Sequence, residues 1–257
     1  LIEHFDASVT PKRLTFVSDL HLFSSRCNAG RHQEQIEHAV QWSDLCVWGG
    51  DMFDFRWSRL EDEAATVDRA IAWLARWQDR FPDKSFVYLD GNHDAHEAFS
   101  RRLRDWAAEQ SRFQCGLDAL RIEDVLLVHG DVIEGRGRHD RFLAYRQRWR
   151  DKPAAGPLRD QAYQVAVSTG VHLAVAGAAH RKQQTCRRLL RWMHEQPAAA
   201  IEGVKRVAFG HTHRAIHGLE VDGIAFYNGG ATIHRVPFYP VRLEIAAANN
   251  DRGPHVP

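Results

Sequence analysis

Cysteine is scarce in this sequence. Cys27, Cys46, Cys115 and Cys186 lie far apart in 257 residues, with no Cys-x-x-Cys pair. That argues against a disulfide framework and a cysteine-built zinc knuckle, and predicts reduced thiols. No apolar run reaches about 18 residues, so no transmembrane helix is expected. No charge sign dominates: 34 Lys and Arg against 33 Asp and Glu give a net charge of +1, and no global argument for nucleic acid. No secretory leader pattern is visible. The expected location is the cytoplasm, with peripheral contact at a membrane as the alternative.

What remains is an ordinary globular composition, 44% hydrophobic and 26% charged. The length suits one domain over residues 1–257 carrying an insertion. The 16 histidines are unusual, and a metal enzyme is one reason for them.

The first half alternates strand and helix. "RLTFVS" (13–18), "LCVWG" (45–49) and "SFVYLD" (85–90) read as strands. Residues 31–43, 61–80 and about 95–110 read as helices, the second with Val67, Ile71, Leu74 and Trp77 at helical spacing. This pattern predicts parallel strands covered by helices. The second half is richer in short strands: "ALRIEDVLLVHG" (119–130) folds back at Glu123-Asp124, and 204–210, 215–221, 224–228 and 239–245 follow. Asp222-Gly223 is a hairpin signal. Two face-to-face sheets with helices outside fit both halves.

Residues from about 131 to 203 lack strand character and read as a helical insertion. From Arg136 to Arg191 they hold 13 Lys and Arg against Asp140, Asp151 and Asp160. The insertion is either a solvated helical hairpin or a cap for an anionic, partly apolar ligand. As a cap, it would fold helices over residues 136–200 across the strand ends. Some of Arg136, Arg138, Arg141, Arg146 and Arg148 would then point at substrate, and the small residues from Val171 to Ala179 would line a cleft or face a membrane.

Five strands end in metal-ligand residue types: Asp19 and His21 in "SDLHL", Asp51 and Asp54 in "GGDMFD", Asn92, His93 and Asp94 in "GNHD", His129 in "HGD", and His211 and His213 in "GHTHR". In open α/β sheets the carboxyl ends of strands form the ligand crevice. One such motif is an ordinary polar turn. Five in this order call for a common purpose.

Together the motifs resemble those of the calcineurin-like metallophosphoesterases, over about residues 14–230. The resemblance implies an α/β fold, a four-layer αββα sandwich with a helical cap, and two divalent cations. Imidazole and carboxylate ligands suit manganese, with iron and zinc as alternatives, better than calcium. It implies one metal on Asp19, His21, Asp51 and His213, and the other on Asp51, Asn92, His129 and His211, with Asp51 shared. Two such ions acidify a water between them and clamp the phosphate. His93 is implied as the group that protonates the leaving oxygen or stabilises charge, oriented by Asp54. Asp94 is expected to cap the following helix. Arg214 is a candidate phosphate contact, with Arg138, Arg141 and Arg146 as further substrate-binding candidates. "YNGG" (227–230) is expected to turn close to the site.

The insertion after "HGD" and its "HDRFLAYR" and "HLAVAGAAHRKQQTCRRLLRWM" segments resemble the UDP-2,3-diacylglucosamine pyrophosphohydrolase group. Members of that group cut a pyrophosphate linkage and release UMP, although its best-characterised enzymes carry Arg where this chain has His93. The implied partner is a small phosphorylated substrate, a nucleotide-linked lipid in this reading. The alternatives are a phosphodiesterase or nuclease acting on nucleotides or nucleic acid, and a phosphomonoesterase.

Overall fold

Period-two burial shapes the first sheet. In β2 (Arg13–Val17), Leu14 and Phe16 face one way while Val17 faces the other; β3 (Leu45–Trp48) and β4 (Ser85–Leu89) repeat the pattern. A computed structural model of the chain describes residues 2–5, 10–136, 138–150 and 180–245. In it these strands are parallel, flanked by β5 (Phe113–Leu117) and by antiparallel β11 (Val241–Glu244), in the order β11-β2-β3-β4-β5. The second sheet has the order β1-β6-β7-β8-β10-β9. Its members are β1 (Ile2–His4), β6 (Ala119–Ile122), β7 (Val125–Val128), β8 (Arg206–Phe209), β9 (Ile216–Val221) and β10 (Ile224–Asn228).

Three apolar clusters define four layers. Between the sheets, Leu14, Phe16, Val47 and Val87 meet Leu120, Val125, Leu127 and Ala208. Outside the first sheet lie α1 (Gln33–Trp42), α2 (Glu63–Arg80) and α3 (Glu97–Ala107), packed on Trp48, Phe86 and Tyr88. Asp62 caps α2 by accepting from Ala65 N at 2.7 Å. Val67, Ala70, Ile71, Leu74 and Trp77 form its buried stripe. Trp48 is fully buried, its ring 5.0 Å from Trp73 and 5.3 Å from Trp77. Full burial of one such large side chain contributes about 1.5–3 kcal/mol.

The outer face of the second sheet is covered by α5 (Lys182–His194), which buries Cys186, Leu189, Leu190, Trp192 and Met193 against Val128, Val207, Phe209 and Phe226. This corrects the expectation that the whole stretch from 136 to 200 folds over the strand ends. The apolar face of α5 is the fourth layer of the sandwich, because a sheet face this hydrophobic must be covered. α4 (His139–Arg150) lies at the strand ends, its rings facing His93 and His211. The short α6 (Ala198–Ile201) leads into β8. The segment from Val171 to Ala179 lies outside the described residues. No helix among the described residues is long and apolar enough to cross a membrane.

Candidate metal centre

β2, β3 and β4 run parallel, as do β7 and β8, so all five motif loops leave at one end of the sandwich. Cross-links bring the two sheets' loops together. His129 Nδ1 lies 2.8 Å from Gly49 O, and His211 N donates to Asp19 Oδ1 at 3.0 Å. Gly210 makes the second approach feasible, since a Cβ there would collide with Ser18 and the Asp19 carboxylate. The backbone is strained where the ligands sit. Asp19, His21, Asp51, His211 and His213 have φ of 57°, 48°, 52°, 64° and 54°. Left-handed conformations of non-glycine residues cost on the order of 1 kcal/mol each and persist where surrounding structure holds them. Here His21 N donates to Asp51 O at 3.0 Å and Thr232 N to Asp19 O at 3.1 Å.

Two sets of ligand atoms converge. Asp19, His21 and His213 offer atoms within 4.8 Å of one another, and so do Asp51, His129 and His211. In the first set the Nε2 atoms of His21 and His213 face each other at 3.0 Å, with Asp19 Oδ1 3.3 Å from His213 Nε2. Facing ring nitrogens about a carboxylate suit a cation with bonds of about 2.1 Å. In the second set His129 Nε2 is buried without a hydrogen-bond partner, and so is Asn92 Oδ1 in the loop after β4. Buried polar atoms are rarely left unpaired, and both atoms are donors a metal accepts. The residues therefore fit two divalent cations.

A third cluster, His21, Asp54 and His93, already holds a positive group. Arg26, itself buried, donates to Asp54 Oδ2 at 2.5 Å, while His93 Nδ1 lies 3.1 Å from Asp54 Oδ1. Arg26 stood in the first motif's own stretch, "SDLHLFSSRC", but its type and spacing alone give no role. His93 N donates to Asp51 Oδ1 at 2.7 Å, which ties this dyad to the second ligand set.

Charge organises the site. Burial works to raise Asp51, but the neighbouring His129 and His93 hold its carboxyl well below the usual range. Burial likewise opposes Asp54, and Arg26 and His93 outweigh it in the same direction. Burial, then Arg26, pushes His21 down to about 3, so the ring is neutral and its lone pair available. Burial lowers His129, but Asp51 raises it to about 10; a cation would displace that proton.

Other predicted residues land differently. Asp94 does not cap α3, whose N-cap is His96. Buried, it instead accepts from Met52 N at 2.9 Å, Gly91 N at 2.8 Å and Tyr88 OH at 2.5 Å, fastening the second and third loops together. Arg146 is not aimed at the strand-end crevice. It is buried in bonds to Asp131, Asp118 and the Asp90 carbonyl. Arg138 pairs with Asp140 on the surface, Arg148 bonds the Ala144 carbonyl, and Arg136 and Arg141 are exposed. Arg214 is half-buried just beyond His213. Gly229 and Gly230 abut the Tyr239 and Pro237 carbonyls instead of the ligands. Their neighbour Asn228 holds the histidine loop, donating to Gly210 O at 2.8 Å.

Sequence reasoning passed over Glu134 and His180. Glu134 Oε1 lies 3.3 Å from His211 Nε2, which leaves Nδ1 of that ring for the ligand set. The rings of Tyr145 and His180 are 6.3 and 6.0 Å from His211, and Trp149 is 4.5 Å from His93. Tyr145 and Trp149 stand four apart on α4, so one helix face meets the centre.

A two-sheet sandwich with paired His/Asp sets at its strand ends defines a metal-dependent hydrolase. Residues 12–215 match the family model for calcineurin-like phosphoesterases, and the chain belongs to that family. It is a metal-dependent phosphoester hydrolase. Among solved structures, it is similar to a dimetal phosphatase from Danio rerio, 14% identical, covering 91% of this chain and 93% of that one with a TM-score of 0.47. No curated protein gives a significant sequence match.

Proposed function

We propose that the chain uses two divalent cations, manganese in the first instance with iron or zinc as alternatives, to hydrolyse a phosphodiester or pyrophosphate bond. The observation that carries this reading is the Arg26–Asp54–His93 array standing directly beside two sets of metal ligands. When bound, the cations would acidify water and neutralise phosphate oxygens. Asp19, His21, Asp51 and His213 would hold one, and Asp51, Asn92, His129 and His211 the other. The neutral amide of Asn92 limits negative charge at the second.

The remaining chemistry belongs to the chain. Asp54, kept ionised by Arg26, binds His93 Nδ1 and leaves Nε2 to face the substrate. A proton at Nε2 passes to the leaving oxygen as water adds to phosphorus. Such general acid catalysis contributes roughly 10²–10⁴-fold. α4 walls the site through Trp149 and Tyr145, which supports a cap role for that part of the insertion. The substrate class that the insertion's layout favours is a nucleotide-linked lipid of the UDP-2,3-diacylglucosamine type, giving UMP, with the cap meeting a membrane surface. The aromatic rings of α4 favour a second reading, a phosphodiesterase acting on nucleotides.

Product analysis with manganese-loaded protein tests the proposal on a monoester, a diester and a UDP-linked pyrophosphate. Cleavage of the diester or the pyrophosphate at least about tenfold faster than the monoester is expected. Cleavage of the monoester alone would overturn it.

A further inference from the structure

β9 and β11 are edge strands of their sheets, and a cavity of about 750 Å³ opens on this flank between them and α1. That is the size of a small-molecule pocket. None of its lining residues belongs to the five motifs of the metal centre. A β-bulge shapes it. Phe226 pairs with Leu219 and Tyr227 with His217, so Gly218 is the extra residue of β9, with φ of 64°. Bulges re-aim the side chains beside them, and glycine takes this conformation at no steric cost. Tyr227 and Tyr239 form the inner wall, packed against the apolar layer between the sheets. Tyr239 is fixed there: its OH donates to Ile216 O, and its ring meets that of His217 at 4.6 Å.

The outer wall is made of donors. Arg242 on β11, His38 on α1 and His217 on β9 line the cavity, and no Asp or Glu does. The Arg242 guanidinium stands 5.6 Å from the Trp42 ring, at cation–π distance. Among the described residues these three side chains make no hydrogen bond or ion pair. Such a lining repels a cation and leaves an apolar ligand facing a bare guanidinium. It suits an oxyanion. A carboxylate offers two oxygens in one plane, whereas a phosphate offers three, spread about its axis. Donors arriving from three separate elements match the second shape. The volume exceeds that of a bare phosphate, and the two tyrosine rings give an organic ring a surface to pack on.

We infer that this flank cavity is a second binding site, separate from the metal centre, for a small organic phosphate. Its phosphate group lies between Arg242, His38 and His217, and its ring lies against Tyr227 and Tyr239. The site asks nothing of the two cations, so it stands or falls independently of the hydrolysis proposed above.

The test is an NMR titration of ¹⁵N-labelled, zinc-loaded full-length protein with phenylphosphonate, which has no phosphate ester to cleave. Amide shifts are expected at Gly218, Tyr227 and Arg242 as well as at the metal centre. In Arg242→Gln, a change at an exposed position, the flank shifts should need at least about tenfold more ligand while those at the centre stay. After EDTA treatment the shifts at the centre should go and those on the flank should stay. His38→Ala should weaken the flank at least about threefold. Absence of flank shifts, flank shifts that vanish with the metal, or flank shifts indifferent to Arg242→Gln would overturn the site. Benzoate and inorganic phosphate should each bind the flank at least about tenfold more weakly than phenylphosphonate. Equal binding of benzoate would overturn the phosphate assignment, and equal binding of inorganic phosphate would overturn the organic ring.

Discussion

Arg146 reaches from α4 to Asp131, its Nε and one Nη meeting the two carboxylate oxygens at 2.8 and 3.0 Å. Asp131 is the acidic residue of the "HGD" motif. Its role is to anchor the helix that carries Tyr145 and Trp149. Both partners are buried, so removing one strands a charge. Arg146→Ala should lower stability by about 3–5 kcal/mol in urea melts. Arg146→Lys should recover only part, because an ammonium cannot make the paired contact. A loss under about 1 kcal/mol would mean the pair is solvated.

Asp51, proposed to serve both cations, has His129 Nε2 3.4 Å away and His93 N bonded to its Oδ1. Asp51→Ala should strip the protein of both cations and of nearly all activity. Metal analysis by mass spectrometry after desalting checks this. A variant that kept two ions per chain would refute the shared-carboxylate assignment.

His93 belongs to neither set of metal ligands and meets His21 only by its ring edge, so His93→Ala should keep its metal content while kcat falls by roughly 10²–10⁴-fold. Asp54→Asn should follow the same course more mildly. Arg26→Gln frees Asp54 from its cation and should depress turnover most for substrates with poor leaving groups, the ones that need a proton donor. Loss of metal from His93→Ala would make it a ligand.

The pair between Asp124 and Arg206 joins the turn after β6 to β8 by bonds of 2.7 and 2.6 Å. The bond from Arg206 holds the Asp124 carboxyl below its ordinary value of 3.8. A carboxyl lowered on folding adds stability above its unfolded pKa, and that stability is lost as pH falls through the folded value. Asp124→Asn should therefore lower Tm at pH 7 by the equivalent of at most about 1 kcal/mol. The difference from the parent should shrink below about pH 4. A Tm gap that stays constant into acid would assign the effect to packing.

Much of this could be read along the chain. The alternation of Leu14, Phe16 and Val17 predicts a strand buried on both faces, and the structure places it between two apolar layers. Asp222-Gly223 turns the hairpin with φ of 51° and 77°, as the dipeptide predicts. β1 and β5 gave no such signal. β1 is three residues long, and β5 has an alternating, half-exposed pattern broken by Gly116. They are strands because neighbouring strands supply their hydrogen bonds.

The order of acidic and histidine motifs at strand ends is local information, and the sequence by itself determined the residue types of the metal centre and the family they belong to. Tertiary structure alone decided the rest. β11 pairs with β2 across more than two hundred residues. Five ligands adopt left-handed backbone, uncommon even for Asp and His, held by bonds from other loops. One arginine of the first motif, Arg26, turns inward to Asp54, and Arg146, expected among the substrate arginines, is buried on Asp131. An arginine looks the same in a sequence whether it meets substrate, solvent or a buried carboxylate. Which of these it meets is set by where distant carboxylates are delivered, and burying a charge forces that pairing only once the fold has excluded water.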